Sequence, residues 1–373
     1  MCKPASGIFS ATMSEQKQNT TNEIAEQLKA TGDFLAITCQ YPDALPQTFN
    51  LTLTNPNNNQ QCLVSVLDTG VICFEPIDQV TDSDIVLSCA VHGNETAPIE
   101  ICQQLVKDLV SGDLALKQRV LFLFANPSAI NIDKRFVEEN LNRLFSGAHS
   151  DGEGLINAER IRAKALEDYV RDFFDQGSQI SGDRTRYHYD LHTAIRGSKY
   201  EKFAVYPFLN GKPRSKAQLE ILASCGVSTI LLSHSPTTTF SYYSANEFNA
   251  HAFTVELGQV KPFGQNDMDS FAACHQTLAQ MISAEQLSVK EFDPKDFNIF
   301  EIYQTVNREN EDFFLHFSDD VKNFTDYPLD TLIATDGDKE FRTTRVGEAI
   351  IFPNAKVALG QRALLTVIPT SID

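Results

Sequence analysis

The sequence predicts an α/β protein with a mixed, mostly parallel sheet flanked by helices, followed by a C-terminal all-β barrel or sandwich module. Between about residues 85 and 257, continuous apolar runs typical of strands covered on both faces alternate with segments of helical periodicity. After residue 291, short β-rich runs follow at near-regular spacing. We expect an N-terminal extension (1–34), an α/β domain (35–290) and a C-terminal β domain (291–373).

The predicted elements follow one another in an order that suits a sheet with helices on its faces. Apolar runs bounded by turn residues mark the strands, and apolar residues at three- and four-residue steps mark the helices. The helix after the first buried strand is expected to have Thr96 as its N-cap and Pro98 in its first turn. In chain order we predict a helix at 14–30, an edge hairpin at 48–75, strands at 85–91 and 120–125, a helix at 157–176, a strand at 187–191, a helix at 215–224, and strands at 229–233 and 253–257.

The amino-acid composition restricts the kinds of molecule that the protein is expected to bind. The 373 residues include 31 Lys and Arg against 49 Asp and Glu, a net charge of −18, whereas nucleic acid and anionic membranes are bound by basic surfaces. No run approaches the ~20 apolar residues that span a bilayer. The 8 cysteines are scattered without a CxxC pair, which favours a reducing cytoplasm over a disulfide framework.

The strongest local motif is His92-Gly93-Asn94-Glu95, directly after the strand at 85–91. Open α/β sheets bind ligands at the carboxyl ends of their strands, and Gly93 lets the chain turn sharply there. Imidazole nitrogen and carboxylate oxygen are both zinc donors, and a catalytic zinc has three protein ligands and one open position. Because a histidine and a glutamate three residues apart are common by chance, a third ligand from another strand end is needed.

The best-placed third ligand is His192, just past the apolar strand at 187–191. Asp190, two residues earlier, is suited to accept a hydrogen bond from the ring and so to fix its tautomer. His188, on the same face of the strand by alternation, and His234, at the end of another strand, are competitors. Without its neighbours, His192 would equally be an ordinary hydrogen-bonded structural histidine.

An acid and two arginines complete the candidate chemistry. Glu256 lies inside the apolar strand at 253–257, where a carboxylate is unfavourable unless it is paired or functional. Beside a metal-activated water it would serve as general base and acid. Arg135 and Arg143, the latter preceded by Asn142, follow a strand, and the planar guanidinium matches a carboxylate. The alternatives are a salt-bridged carboxylate for Glu256 and surface ion pairs for the arginines.

The order of these motifs resembles that of the zinc carboxypeptidase superfamily and, within it, the aspartoacylase/desuccinylase branch. The shared features are HxxE after a strand, an Asn-Pro, an arginine followed seven residues later by Asn-Arg, an Asp-Leu-His at a strand end, and a later Glu-Leu-Gly. The segments DLHTAIRGS (190–198), TVELG (254–258) and FPNAKVALGQRA (352–363) look most like the desuccinylases of this branch. The resemblance covers about residues 35–370, including the C-terminal β module.

The resemblance implies a role for each matching residue. His92, Glu95 and His192 match the zinc ligands, which implies one Zn²⁺ per subunit. Glu256 matches the catalytic glutamate, so the domain at 35–290 is expected to be the catalytic one. Arg135 matches the arginine that assists at the scissile carbonyl, while Asn142 and Arg143 match the pair that binds a substrate carboxylate.

Two further residues are expected to contact the substrate. Aspartoacylases carry a tyrosine and an arginine shortly before the catalytic glutamate, whereas the stretch 242–246 keeps Tyr242 and lacks the arginine. This departure weakens the case for N-acetylaspartate as substrate. Arg196, within DLHTAIRGS, is a candidate to hold one of the carboxylates of N-succinylglutamate instead.

The resemblance also implies an activity. It points to a zinc-dependent amide hydrolase that cleaves N-succinyl-L-glutamate to succinate and L-glutamate, the last step of succinyl-transfer arginine catabolism in a bacterial cytoplasm. The partner is then a small N-acyl amino acid with several carboxylates, and a homo-oligomer is left open. Two alternatives remain: another N-acyl-amino-acid deacylase or carboxypeptidase, and a non-catalytic carboxylate-binding or sensor protein. Neither a Walker A sequence nor a dinucleotide fingerprint supports a nucleotide-dependent enzyme.

Overall fold

The computed structural model describes residues 6–77, 79–284 and 287–372. The helices are α1 (Ser6–Thr31), α2 (Phe34–Gln40), α3 (Thr96–Ser111), α4 (Pro127–Asn131), α5 (Ala158–Ile180), α6 (Lys216–Ser224), α7 (Phe240–Phe248) and α8 (Ala272–Ser283). The strands are β1 (Phe49–Thr54), β2 (Gln61–Asp68), β3 (Val71–Pro76), β4 (Ser83–Cys89), β5 (Arg119–Phe124), β6 (Thr185–Ala194), β7 (Phe203–Tyr206), β8 (Thr229–Leu232), β9 (His251–Gln259), β10 (Asn298–Asn307), β11 (Phe314–Leu315), β12 (Thr325–Asp326), β13 (Leu332–Asp336), β14 (Lys339–Arg342), β15 (Ala349–Ile351) and β16 (Arg362–Pro369).

One mixed sheet of 13 strands runs through the protein in the order β1-β2-β3-β5-β4-β6-β9-β7-β8-β10-β16-β15-β12. At its centre β4 pairs in parallel with both β5 and β6, and β6 pairs in parallel with β9. The carboxyl ends of these four strands therefore lie at one edge of the sheet. A second sheet, β11-β13-β14, belongs to the C-terminal module. The α/β architecture and the β-rich module that the sequence predicts are confirmed.

The central strands are buried on both faces because helices cover each side. Leu87 of β4 and Leu105 of α3 belong to the apolar core on one face of the sheet. Val86 of β4 lies on the other face and joins Val170 of α5 and Tyr243 of α7 in a second core. This arrangement explains why the central strands are continuous apolar runs instead of alternating ones.

Two elements that position the site were not predicted from the sequence. The strand β7 is only the four residues Phe203–Tyr206, too short to stand out as a separate run. The helix α7 has the sequence FSYYSANEF, rich in aromatic, serine and asparagine residues of modest helix propensity. Packing decides both elements, because β7 pairs with β8 and β9 and α7 packs on β9.

The extension and the C-terminal module are both joined closely to the α/β domain. Ile24 and Leu28 of α1 are buried in the core that contains α3, while residues 1–5 of the predicted extension lie outside the described residues. At the other end, β10 pairs in parallel with β8 and antiparallel with β16, so the sheet continues into the module. We propose the boundaries 1–34, 35–290 and 291–373 for the three parts. No helix within the described ranges is long and apolar enough to cross a membrane.

A buried ion-pair network ties the amino-terminal ends of the central strands together. Asp84 of β4 is fully buried, and its Oδ1 accepts hydrogen bonds from Arg119 Nη1 at 2.6 Å and from Arg184 Nη2 at 2.8 Å. Helix α5 crosses this network at Gly177. A Cβ added to Gly177 would lie 1.9 Å from Asp84 Oδ2 and 2.7 Å from Arg119 Nη1, so only glycine fits.

We expect Gly177→Ala to destabilise the protein by at least ~2 kcal/mol, because separating a buried ion pair leaves charges uncompensated. An alanine inside a helix is ordinarily more stable than glycine by ~0.5–1 kcal/mol, so the expected sign is the reverse of the usual one. Urea unfolding measures the free-energy change. Gly182→Ala is the control, since its Cβ would meet no atom within 4 Å. An unchanged or increased stability of Gly177→Ala would show that the network tolerates the methyl group.

Candidate active site

Three buried side chains converge at the carboxyl ends of the central strands. His92 and Glu95 lie between the end of β4 and the start of α3, and His192 lies near the end of β6. One donor atom from each of the three lies within 4.8 Å of the other two. His92 Nδ1 is 2.8 Å from Glu95 Oε1, and His192 Nδ1 is 2.8 Å from Glu95 Oε2. The structure therefore brings together the three residues predicted as metal ligands.

The turn that presents His92 and Glu95 depends on a close backbone approach. A Cβ on Gly93 would lie 2.2 Å from the carbonyl carbon of Ala129, so a side chain there would displace the turn. Glu95 is the N-cap of α3, and its side chain makes no capping hydrogen bond. The prediction of Thr96 as N-cap was wrong: Thr96 is the first helical residue and donates its hydroxyl to Lys261 O. The Glu95 carboxylate is thereby left free for the two imidazoles, near the positive end of the helix.

Each imidazole is oriented by a hydrogen bond from its outer nitrogen. His92 Nε2–H donates to Asn140 Oδ1 at 3.0 Å, and His192 Nε2–H donates to Asp190 Oδ2 at 2.9 Å. Asn140 Oδ1 also accepts the backbone N–H of Asn142, which fixes the orientation of the amide. In the neutral form of each ring these bonds hold the proton on Nε2, so Nδ1, the nitrogen that faces Glu95, is the one available to a metal ion.

A buried chain of hydrogen bonds holds Asp190 in place behind His192. Ser88 donates its hydroxyl to Asp190 Oδ1 at 2.6 Å, so its oxygen accepts from His188 Nε2–H at 2.9 Å. His188 Nδ1 then accepts the hydroxyl of Ser244 at 2.6 Å. Burial lowers the pKa of His188 to about 4, which keeps this ring neutral. His188 is thus a support of Asp190 and makes no contact of its own with Glu95 among the described residues.

The other competitor, His234, lies away from this group. Its Nε2 is 3.2 Å from Glu301 Oε2, and its side chain is 44% exposed. The three-residue group of His92, Glu95 and His192 contains no contribution from it. The ligand set preferred in the sequence analysis is therefore the one that the fold assembles.

The chemistry of this donor set fits a divalent cation. Burial lowers the pKa of His92 to about 4, so its ring offers a lone pair at neutral pH. Burial alone would also lower the pKa of His192, but Asp190 and Glu95 outweigh burial and raise it well above its usual value. The carboxylates of Asp190 and Glu95 thus favour positive charge at the place where the Nδ1 atoms of His92 and His192 face Glu95. Two nitrogens and one carboxylate oxygen with an open side are typical ligands of a catalytic zinc.

Glu256 stands beside the group in the next strand. It is paired with His192 in the parallel register of β6 and β9, so the two side chains leave the sheet on the same face. Its Oε2 is buried without a hydrogen-bond partner among the described residues. Burial raises the pKa of Glu256 to about 7, a value at which a carboxyl group both takes up and releases a proton near neutrality. A cation held nearby would lower this pKa.

The predicted substrate residues Arg135, Asn142 and Arg143 lie in the segment that follows β5. Arg135 Nη1 donates to Glu95 Oε1 at 2.8 Å while its side chain remains 31% exposed. Asn142 is buried, and its Oδ1 accepts the backbone N–H of Phe240 at 3.3 Å, so its amide NH₂ is the group left for a substrate. Arg143 donates to the Asn142 carbonyl at 3.0 Å and is exposed to solvent.

The structure places Tyr242 and Arg196 in other contacts. Tyr242 lies on α7 and donates its hydroxyl to Asn246 Oδ1 at 3.3 Å. Arg196 donates from Nη1 to the carbonyl of Val321 in the C-terminal module at 2.8 Å. Among the described residues, neither side chain hydrogen-bonds to the His-Glu-His group. Their substrate-binding roles stay predictions.

Two residues of the site were missed by sequence reasoning. Asn140, which orients His92, lies within the Asn-Leu-Asn-Arg string that was quoted for Asn142 and Arg143. Ser88, which supports Asp190, is an isolated polar residue inside the apolar run at 85–91. A polar side chain in a strand buried on both faces requires a hydrogen-bond partner, and that signal was available in the sequence.

A mixed α/β domain with this group at its strand ends, followed by a β module, is the architecture of a known class of proteins. Residues 81–282 match the family described as "Succinylglutamate desuccinylase/Aspartoacylase catalytic domain", and residues 295–370 match the "AstE/AspA barrel-sandwich hybrid domain". The chain belongs to the succinylglutamate desuccinylase/aspartoacylase family.

Individual relatives agree with this assignment. The chain is 52% identical over 340 residues to the succinylglutamate desuccinylase of Shewanella pealeana, covering 91% of this chain and 96% of the relative. The succinylglutamate desuccinylase of Idiomarina loihiensis is also 52% identical over 340 residues, with the same coverage of 91% and 96%. The crystal structure of the Vibrio parahaemolyticus enzyme of that name superposes with a TM-score of 0.79 at 35% identity, covering 90% of this chain and 94% of the other.

We expect His92→Ala to lose the bound metal, because two remaining donors are too few for a stable zinc site. Elemental analysis of dialysed protein should give about one zinc per chain for the wild type and close to none for the variant. His234→Ala is the matched control, since His234 is a strand-end histidine outside the group. Full zinc content in His92→Ala would remove His92 from the ligand set.

Proposed function

We propose that this chain is a zinc-dependent amide hydrolase that cleaves N-succinyl-L-glutamate to succinate and L-glutamate. The observation that carries the proposal is the position of Glu256, an unpartnered buried carboxylate beside the His92–Glu95–His192 group. A binding protein has no need of a buried base next to a metal site. The names of the relatives supply the substrate, since the chain spans nearly their whole length.

His92, Glu95 and His192 would hold the zinc ion through two nitrogens and one oxygen. A bound zinc ion lowers the pKa of water toward about 7 and polarises a carbonyl group. Glu256 takes a proton from the attacking water, whose oxygen forms a bond to the succinyl amide carbon. As the carbon–nitrogen bond breaks, Glu256 returns the proton to the leaving nitrogen, which gives succinate and glutamate.

The arginines and the asparagine orient the substrate. Arg135 is fixed by Glu95 at 2.8 Å, and its other N–H groups are placed to stabilise the negative charge that develops on the carbonyl oxygen. The Asn142 amide and the exposed Arg143 guanidinium bind a substrate carboxylate. Holding the carboxylate in this way brings the amide into position before the reaction begins.

Two broader assignments accompany the proposal. We propose that the reaction is the last step of succinyl-transfer arginine catabolism and that it takes place in the cytoplasm. The resemblance of the sequence supports the first assignment. The scattered cysteines support the second.

The direct test is hydrolysis of N-succinylglutamate by the purified full-length chain. We expect release of succinate, loss of activity with a chelator and recovery with added zinc. A panel of N-acetylaspartate, N-acetylglutamate and a carboxypeptidase peptide separates the proposed substrate from those of related hydrolases. Binding of N-succinylglutamate without turnover by zinc-loaded protein would identify a sensor and overturn the proposal.

We expect Glu256→Gln to retain zinc and to lose at least ~10³-fold in kcat, because the amide cannot accept the proton from water. The amide is close to the carboxyl group in shape, so the fold and the metal site should be preserved. Succinate release and zinc content are measured on the same preparation. Activity within tenfold of the wild type would exclude Glu256 as the general base.

A further inference from the structure

Two arginines, Arg143 and Arg362, lack a carboxylate partner within the described ranges. Arg143, in the loop after β5, and Arg362, the first residue of β16, make no ion pair within the described ranges. Arg143 is reached by solvent and Arg362 is partly buried. Unpaired guanidinium groups are unusual in a chain with a net charge of −18, because acidic residues are plentiful on its surface.

Two aromatic rings connect Arg362 with the strand pair that carries Glu256. The guanidinium of Arg362 lies over the ring of Phe352, with its Cζ 5.8 Å from the ring centroid. The ring of Phe352 is in turn 5.8 Å from that of Phe203. Phe203 is directly opposite Glu256 in the antiparallel pair of β7 and β9, so these two side chains project from the same face.

Two further contacts anchor the segment that carries Arg362. Phe352 N–H donates to Asn323 Oδ1 at 2.9 Å, and Asn323 N–H donates to Gly197 O at 2.9 Å, five residues after His192. The β10–β16 register shifts between Val306 and Asn307, and Asn307 is the partner of Arg362. The extra residue is Ala363 of β16, so the bulge lies next to Arg362 and redirects side chains at this end of the strand.

The electrostatics agree with this geometry. Surrounding protein lowers the pKa of Arg143, and the positive charges of Arg362 and then Arg135 lower it further. Arg362 therefore acts on Arg143 more strongly than Arg135 does, although Arg362 is more than 200 residues away in sequence. Like charges held together without counter-ions are unfavourable, and bound anions would relieve the repulsion.

We propose that Arg362 is a specificity-determining residue of the site, binding a substrate carboxylate different from the one that Arg143 binds. The inference rests on the proposed function and adds to it: a substrate must carry carboxylates at separate positions to neutralise both arginines. The carboxylate bound by Arg362 belongs either to the acyl chain or to the amino-acid side chain. Arg196, the earlier candidate for this role, is engaged with Val321 instead.

The test measures kcat and KM of Arg362→Gln and Arg362→Lys with three substrates. N-Succinylglutamate has both carboxylates in question, N-acetylglutamate lacks that of the acyl chain, and N-succinylalanine lacks that of the amino-acid side chain. For Arg362→Gln we expect a 10- to 100-fold loss of kcat/KM with N-succinylglutamate, mainly through KM. For the analogue that lacks the carboxylate bound by Arg362, kcat/KM should fall less than threefold. That analogue therefore identifies which carboxylate Arg362 binds. Arg362→Lys should recover part of the loss because it keeps the charge.

The control is Arg342→Gln, a change of the same kind at an arginine of the same module that is paired with Glu340. It should leave all three substrates unchanged. An equal loss with all three substrates in Arg362→Gln would mean a structural role and would overturn the proposal. So would the absence of any loss with N-succinylglutamate.

If the proposed function is wrong, the wild-type protein will not hydrolyse N-succinylglutamate. This result is distinct from a failure of the Arg362 proposal. In that case the increase in melting temperature with added N-succinylglutamate still tests Arg362. The wild type should be stabilised, and Arg362→Gln should require at least tenfold more ligand for the same increase. Equal stabilisation of the two proteins, or none of the wild type, would rule out a carboxylate site at Arg362.

Discussion

The site depends on charge balance at the carboxylate of Glu95. Its two oxygens lie 2.8 Å from the Nδ1 atoms of His92 and His192, and both rings carry their protons on the opposite nitrogen. Lone pairs brought together in a buried place repel one another unless positive charge lies among them. The Arg135 guanidinium, with Nη1 2.8 Å from Glu95 Oε1, supplies part of that positive charge. The hydrogen bonds that the two rings donate to Asn140 and Asp190 maintain the arrangement, and a metal ion bound among the three side chains would supply the rest.

The sheet makes that convergence possible. Because β4, β6 and β9 are parallel neighbours, their carboxyl ends lie side by side, and residues far apart in sequence become adjacent. The same strands also carry the buried polar residues that hold the site in place. Ser88 in β4 and His188 in β6 form a buried hydrogen-bonded chain that ends on Asp190. Polar residues in these apolar strands are therefore satisfied by one another, and their position determines the orientation of His192.

The C-terminal module is joined to the α/β domain at defined contacts. Its attachment through β8–β10 pairing and through Asn323 fixes how Phe352 packs on Phe203. In our proposal, the module thereby brings the positive charge of Arg362 to a site built by the other domain. In such an arrangement the chemistry and the selection of substrate are supplied by different parts of the chain. Substitutions in the C-terminal module would then change which substrate is selected, while His92, Glu95 and His192 are kept.

The sequence by itself predicted the fold class through the alternation of apolar strands and helical segments. The order of its motifs, with the resemblance that they carry, singled out His92, Glu95, His192 and Glu256, which the structure brings together. Asn142 and Arg143 were found from a short local string. Only the tertiary structure revealed Asn140 as the partner of His92, α7 as a helix, and the packing of Arg362 on Phe352 and of Phe352 on Phe203. These features depend on packing between distant segments, and no periodicity within one segment records which other segment will lie against it.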